Sequence, residues 1–505
     1  MKNCTVDFLT RTLRFLWHKV LSLYTAIPAH MPICPRFLRL AVIFSISCST
    51  AWTQDSSNWT VKPEWVRAHE RFLASDAMRG RGSATPDEWI AATYVASEFE
   101  KYGLKPGLPD GTYIQRAELV QPVIDGPAQI SAPQNTGFIA LEEGKDFSFL
   151  RTSGDSISGP LQKINSENIA VAQIQAGAIV MLAGDLGKQG SSFLRRAYGA
   201  GAKAILREDA SLNVDTLQRN RRERRPVSPH LPDTEQSLGG GKFSVLAITK
   251  DAADRLGKLA DGTALSLRIN TKDTARYTYN AVGVLPGTDA SGNAKIVLLS
   301  AHLDHLGIGQ PVNGDSIYNG ANDDASGTSA VLELAHALAS GAKPQRTIYF
   351  VCYGSEEFGG LGSTYFREHS PVPLDRIAAN LEFEMIGNQD PKMPKGKLLF
   401  TGWNRSNLGP TLVQHGALLG DDPYPEQHFF ERSDNYSLAL KGVVAQTAGG
   451  WGTPPTYHKP DDDIDHLDFD FMTQAIQSLV EPVRWLANSD FVPQWLPGKE
   501  PLGRE

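Results

Sequence analysis

At 505 residues, 41% hydrophobic and 21% charged, the chain is long enough for a large core and more than one domain, with the composition of an ordinary globular protein. Its formal net charge of −7 is mild for this length and gives no electrostatic case for a nucleic-acid partner. Aromatic runs mixed with basic residues, which such a partner would need, are also absent.

The N-terminal residues read as a targeting segment. An apolar run at 37–47, preceded by Arg36 and interrupted by Arg39, leads into small residues at 47–51. That is the pattern of a secretory signal cleaved near Ala51, with Met31 as an alternative start. The run is too short to span a bilayer comfortably, and a lipoprotein signal ending at Cys48 lacks the larger aliphatic residue wanted at position −3. The expectation is a segment 1–53 removed on export, leaving a secreted or periplasmic protein with no stable membrane span. Cleavage would leave Cys352 as the sole cysteine, so no intramolecular disulfide is expected.

In the stretch 60–125, Pro86-Asp87-Glu88-Trp89 starts a helix whose apolar positions run through Phe99 to Leu104. By itself this is scaffold. Between 126 and 269 the character changes. Short β-type runs at 177–182, 202–206 and 243–248 alternate with helical stretches at 191–199 and 252–260, and His, Asp and Glu nowhere cluster at metal-ligand spacing. The basic run at 219–225, beside Pro226, Pro229 and Pro232, reads as a solvated loop. This region is expected to be a separate inserted domain, with the catalytic part resuming at 270–490 and a tail at 491–505.

The chemistry sits at the ends of apolar runs. Residues 296–300 form a doubly buried type of strand that ends on His302 and Asp304, two apart and so on one face. A glycine-rich loop then delivers Asp323 and Asp324, and Ser326 is a plausible N-cap for an amphipathic helix to Ala339. A second buried strand, 347–353, ends on Glu356 and Glu357. A third carries Glu382 and Glu384 on one face, and Tyr457-His458-Lys459-Pro460 follows later. Open α/β sheets place their ligands at the carboxyl ends of parallel strands.

His302, Asp323, Glu357, Glu384 and His458 offer two imidazoles, three carboxylates and no thiolate. Such donors suit zinc, and also cobalt or manganese, in a catalytic site. Five donors exceed the needs of one catalytic zinc and fit two ions about 3.5–4 Å apart sharing a carboxylate. Glu356, next to a ligand, is placed to act as a general base. Each motif alone would pass as a loop, a cap or a solvated pair; it is their order and setting that point to a site.

With the motifs SAHLDHLG, NGANDDASG, YGSEEFGGLGS, EMIGN, RSDNYSL and YHKPDDDIDHLD in view, the chain resembles the M28 metallopeptidases, secreted two-zinc aminopeptidases among them. The resemblance covers roughly 65–115 and 277–486. Residues 126–269 are similar to the protease-associated (PA) domain often inserted in that family. The implied fold is α/β, a mixed, largely parallel sheet sandwiched by helices, with an inserted smaller PA-type domain. The implied centre has His302 and Glu384 on one zinc, Glu357 and His458 on the other, and Asp323 bridging. The resemblance further implies that Asp304 orients His302, that Glu356 takes the proton of the water shared by the metals, and that the Asp323–Asp324 peptide is cis. Many relatives have aspartate at the position of Glu384; Glu382 is its rival, and register against Met385-Ile386-Gly387 favours Glu384. The implied activity is aminopeptidase cleavage of peptide substrates. A carboxypeptidase of the same fold, a single-zinc glutaminyl cyclase and a metal-free receptor-like binding protein are the alternatives, and the filled ligand set argues against the last two.

Overall fold

The apolar runs that read as doubly buried strands make the middle of the main sheet. The computed structural model describes residues 59–501 apart from 166, 185–188, 223–226, 233–242 and 290–294; the expected signal segment lies outside the described residues. The main body consists of α1 (Pro63–Leu73), α2 (Pro86–Lys101), β1 (Lys105–Pro106), β2 (Ile114–Ile124), β3 (Thr271–Leu285), β4 (Ile296–His302), α3 (Ser326–Ala339), β5 (Ile348–Tyr353), α4 (Leu361–Glu368), β6 (Ile377–Glu384), β7 (Leu398–Phe400), β8 (Leu419–Asp421), α5 (Asn435–Ala439), β9 (Ala445–Gly449) and α6 (Phe469–Asn488). Its strands form a nine-stranded sheet in the order β1-β3-β5-β4-β6-β9-β7-β8, with β2 also paired to β3. The centre, β5-β4-β6-β9, is parallel, and β3 and β7 flank it antiparallel.

Alternate residues of the central strands feed two cores, one on each face. Val297, Leu299, Phe350 and Cys352 pack with Leu334 of α3 and Ile476 of α6, while Leu298, Val351 and Tyr353 pack with Phe366 of α4 and Leu438 of α5. Burial of one such large side chain contributes about 1.5–3 kcal/mol. The strand ends are therefore held by two apolar layers before any polar contact is counted. The fold is mixed α/β, as the sequence leads one to expect.

Three details differ from the sequence reading. Ser326 does not cap α3: its hydroxyl donates to Asn322 O, and the carboxylate of Asp324 instead accepts from Gly327 N (2.9 Å). The stretch 114–124 pairs along its whole length with β3, so the change of character near residue 120 falls inside a long antiparallel ribbon. Residues 491–501, read as a tail, lie against the sheet's far end, where Gln494 N donates to Asn407 Oδ1 and Trp495 packs into the second core.

Beyond the ribbon, residues 129–268 build their own eight-stranded sheet. Ile157–Asn165, Ile179–Ala183, Ala204–Glu208 and Ser244–Ile248 run parallel in its middle, over a core that includes Phe147, Leu161, Leu246 and Leu265. Arg219, Arg221 and Arg222 of the basic run end a helix, Val214–Arg222, and are not in a loop.

Helix α2 lies against β3 at Gly283. A Cβ there would stand 2.7 Å from Phe99 Cδ2 and 3.0 Å from Leu104 Cδ2. Gly283→Ala is therefore expected to destabilise the protein by about 1–3 kcal/mol. A lowered urea midpoint with an unchanged slope would show this; an unchanged midpoint would mean that α2 moves off the sheet at no cost.

Candidate metal centre

The candidate side chains leave strand ends or the loops beyond them. His302 closes β4, Glu356 and Glu357 follow β5, Glu384 closes β6, and Asp323 comes from the loop before α3. The Asp323–Asp324 peptide is cis, as the resemblance implies. Ser355, Met385 and His458 take left-handed backbone conformations (φ 51°, 54° and 55°). In non-glycine residues these cost on the order of 1–3 kcal/mol and persist only where the surroundings over-determine them. Each is a candidate or the neighbour of one.

The structure gathers the donors into two groups that share Asp323. His302, Asp323 and Glu384 offer donor atoms within 4.8 Å of one another, and so do His305, Asp323 and Glu357. His302 Nε2 lies 3.2 Å from Asp323 Oδ1. His458 Nε2 lies 3.1 Å from Asp323 Oδ2 and 3.3 Å from Glu357 Oε1, and His305 Nδ1 lies 2.9 Å from that same Glu357 oxygen. The second group is thus served by two histidines. His305 is wholly buried, whereas the His458 side chain is one-third exposed.

Glu382 is placed elsewhere. It is buried and accepts from Asn435 N and from Thr447 Oγ1 (3.4 Å), while Glu384 lines the cleft with Asp323 and Glu356. Asp304 Oδ1 stands 3.6 Å from His302 Nδ1, beyond hydrogen-bond length. The Asp304 carboxylate instead accepts from Ser83 Oγ (2.5 Å), Glu356 N (3.0 Å) and Glu357 N (3.4 Å).

Other carboxylates tie loops together. Asp324 accepts from His302 N, Gly327 N and Met385 N; Asp462 accepts from Asn322 N (2.9 Å) and Asp323 N (3.1 Å). Gly320, left-handed at φ 62°, leaves no room for a side chain, since a Cβ would meet Asp323 O at 2.3 Å and His305 Cγ at 2.5 Å.

Burial would raise the Glu357 carboxyl, as would repulsion from Asp323, yet hydrogen bonds from His305 and His458 hold it down at about 2. Burial likewise opposes the charged form of His458, but Asp323 and Glu357 raise it to about 10. Burial pushes Glu356 well above the usual carboxylate range, with His302 opposing and Asp434, Glu357 and Glu384 adding to the rise. A carboxyl raised in this way suits a group that must accept and release a proton.

The donors fit a metal. Both ring nitrogens of His302 and of His305, and Glu357 Oε1, are buried and make no well-aligned hydrogen bond, although Nε2 of His302 and Nδ1 of His305 stand 3.2 and 2.9 Å from carboxylate oxygens. Buried polar atoms are rarely left so, and nitrogen and carboxylate oxygen at these spacings are what zinc takes.

Residues 280–481 match Peptidase family M28. The chain is 26% identical over 303 residues to aminopeptidase YwaD of Bacillus subtilis, covering 56% of each chain. It is 26% identical over 275 residues to the "probable lipoprotein aminopeptidase LpqL" of Mycobacterium tuberculosis, covering 46% of this chain and 51% of that one. It thus spans about half the length of these relatives. The solved structure of BSAP, a zinc aminopeptidase from Bacillus subtilis, matches with a TM-score of 0.51 at 20% identity, over 86% of this chain and 97% of that one, a likeness of fold.

Sequence reasoning missed His305, which stands beside Asp304 in His-Leu-Asp-His and reads as part of a strand exit. It also missed Asp462, whose signal was the acidic run after His458. Asp462→Ala would orphan the buried N–H groups of Asn322 and Asp323, each costing roughly 1–3 kcal/mol. A thermal melt of the metal-free protein should fall accordingly. A melt like that of the parent would mean that water replaces the carboxylate.

Proposed function

We propose that the chain is an exported zinc-dependent exopeptidase, an aminopeptidase that removes N-terminal residues from peptides. The observation that carries this reading is the pair of donor groups sharing Asp323, which lines an open cleft together with Glu356 and Glu384. In this reading His302 and Glu384 hold one zinc, Glu357 and His458 hold the other, and Asp323 serves both; cobalt or manganese would suit the same donors. When bound, zinc would lower the pKa of water and polarise the scissile carbonyl.

The protein's own part is positioning and proton transfer. Glu356 lines the cleft and takes a proton from the attacking water, then hands it to the leaving amine. Asp304 holds the Glu356 backbone N–H and stands beside His302. Met385, Leu399 and Phe429 give the cleft apolar walls, and Gly449 and Gly452 leave room between them. Residues 126–269 form a PA-type domain inserted between the two parts of the catalytic domain, 60–125 and 270–490. Export rests on the N-terminal apolar run; among the described residues no helix is long and apolar enough to cross a membrane.

A carboxypeptidase reading has one observation in its favour, the Arg432 guanidinium in the cleft lining, which could receive a substrate carboxylate. Digestion of a mixed peptide library, read by mass spectrometry with and without a chelator, separates the two. Chelator-sensitive ladders from the amino end are expected. Ladders from the carboxyl end would reverse the polarity of binding, and no cleavage with added zinc or cobalt would refute the peptidase reading.

Glu356→Gln keeps the shape of the site and removes the base. It should lower kcat by about 10²–10⁴-fold at unchanged zinc content. Activity close to that of the parent would assign the proton to another group.

A further inference from the structure

Residues 79–88 lie outside the M28-matched span and read in the sequence as scaffold. In the structure they touch three of the loops that carry the metal centre. Arg81 is wholly buried, and among the described residues no carboxylate forms an ion pair with it. Its guanidinium is spent on carbonyls: Nε donates to Leu303 O (2.9 Å), Nη1 to Leu73 O and Asn319 O (both 2.7 Å), and Nη2 to Gly320 O (2.8 Å). Leu303 follows His302, and Gly320 opens the turn to Asp323. One planar fork of donors, which lysine cannot reproduce, therefore sets the spacing of two loops on which a ligand of each group depends.

The backbone continues the link. His305 N donates to Arg81 O and Ser83 N to His305 O, both at 3.1 Å, and Ser83 Oγ donates to Asp304 Oδ2 at 2.5 Å. At the far end of the segment, Glu88 accepts from Ser355 N (3.2 Å) and Ser355 Oγ (3.0 Å) with one oxygen, and from Thr278 Oγ1 and Tyr279 N with the other. Close approach is built in, since a Cβ on Gly80 would stand 2.2 Å from Tyr318 O.

A guanidinium buried on neutral carbonyls is a costly way to stabilise a fold, and here all but one of its carbonyl acceptors lie next to the ligand loops. We propose that residues 79–88 are a positioning clamp for the metal centre, in which Arg81 fixes the backbone of the His302 and Asp323 loops and Ser83 fixes the Asp304 carboxylate. The inference rests on the metal-centre reading above and adds residues far from it in sequence. Ser83 is the deciding position, because loss of Arg81 would disturb folding as well.

The test measures the affinity of the metal-stripped full chain for cobalt, by absorption in competition with a chelator, beside its metal-free thermal midpoint. Ser83→Ala is expected to weaken cobalt binding by about 10-fold, the lower end of the loss when a group hydrogen-bonded to a ligand residue is disturbed, because the Asp304 carboxylate it holds accepts from Glu357 N. The metal-free midpoint should stay within about 2 °C of the parent, and Ser83→Thr, which keeps the hydroxyl, should bind as the parent does. Unchanged affinity in Ser83→Ala, or a loss of affinity matched by a fall of the metal-free midpoint, would overturn the clamp. A parent chain that binds no cobalt would overturn the metal centre and the clamp together. One that binds cobalt but cleaves no peptide would remove only the peptidase reading and still support the clamp through the Ser83 result.

Discussion

Everything near the cleft depends on how the protein manages an excess of buried carboxylate. Asp304, Asp323, Asp324, Glu382, Asp434 and Asp462 are buried around the carboxyl ends of the central strands, with Glu356 and Glu384 in the cleft lining and Glu357 beside His305. The groups that can offset their charge are the imidazoles beside them, Arg432 in the cleft lining and the remote Arg81. Burying unpaired like charges costs several kcal/mol per ion even after relaxation. Asp434, raised to about 7 by burial despite the nearby His302, shows the pressure to neutralise. A divalent cation would relieve this repulsion, and His302 and His305 each belong to a donor group that could hold one.

The carboxylates divide their work. Asp323, Glu357 and Glu384 offer oxygens to the two donor groups, whereas Asp304, Asp324, Asp462 and Glu88 accept backbone N–H groups, most of them from strand ends or the loops beyond them. A chain that turns inside a protein leaves amides with no ladder partner, and each must find an acceptor. Carboxylates make strong ones. This accounts for the acidic neighbours at Asp323-Asp324 and for the buried middle member of the run Asp461-Asp462-Asp463. In the pair one member faces the donor groups and the other ties the loop; in the run, Asp462 ties the loop that carries Asp323.

What the sequence made legible follows the same division. Doubly buried strands announce themselves as apolar runs, and chemistry at their ends stands out against them, so His302 and the pair Glu356-Glu357 were legible as candidates, whereas Glu384 needed the motif register to set it apart from Glu382. Residues whose role is to hold another loop could not. Arg81 sits in Gly-Arg-Gly-Ser more than two hundred residues before Leu303 and Gly320, and nothing local distinguishes it from a solvated loop arginine. β2 was hidden for a different reason. Its sequence IQRAELVQPVI alternates buried with exposed residues and contains a proline, so it resembles the start of a looser region until its long partner β3 is seen beside it.

The choice between Glu382 and Glu384 shows how register supplies what side-chain direction cannot. Both lie on the same face of β6, so alternation does not separate them. In the parallel pairing of β4 with β6, Ser300 is level with Glu382. Two residues further along, His302 is then level with Glu384, at the rim where the strands end and the cleft opens. Glu382 lies about 6.6 Å back along the strand, beneath the rim, where Asn435 N at the start of α5 is its nearest donor. A carboxylate at that depth can stiffen the floor of the site, while one at the level of His302 can share its ligand. The same offset of two residues, read along β4, separates Ser300, inside the sheet and bonded to Asn380, from His302, which faces Asp323. The strand-borne part of the site thus lies in a single layer of the sheet, the last one before the strands give way to the loops that supply the other donors.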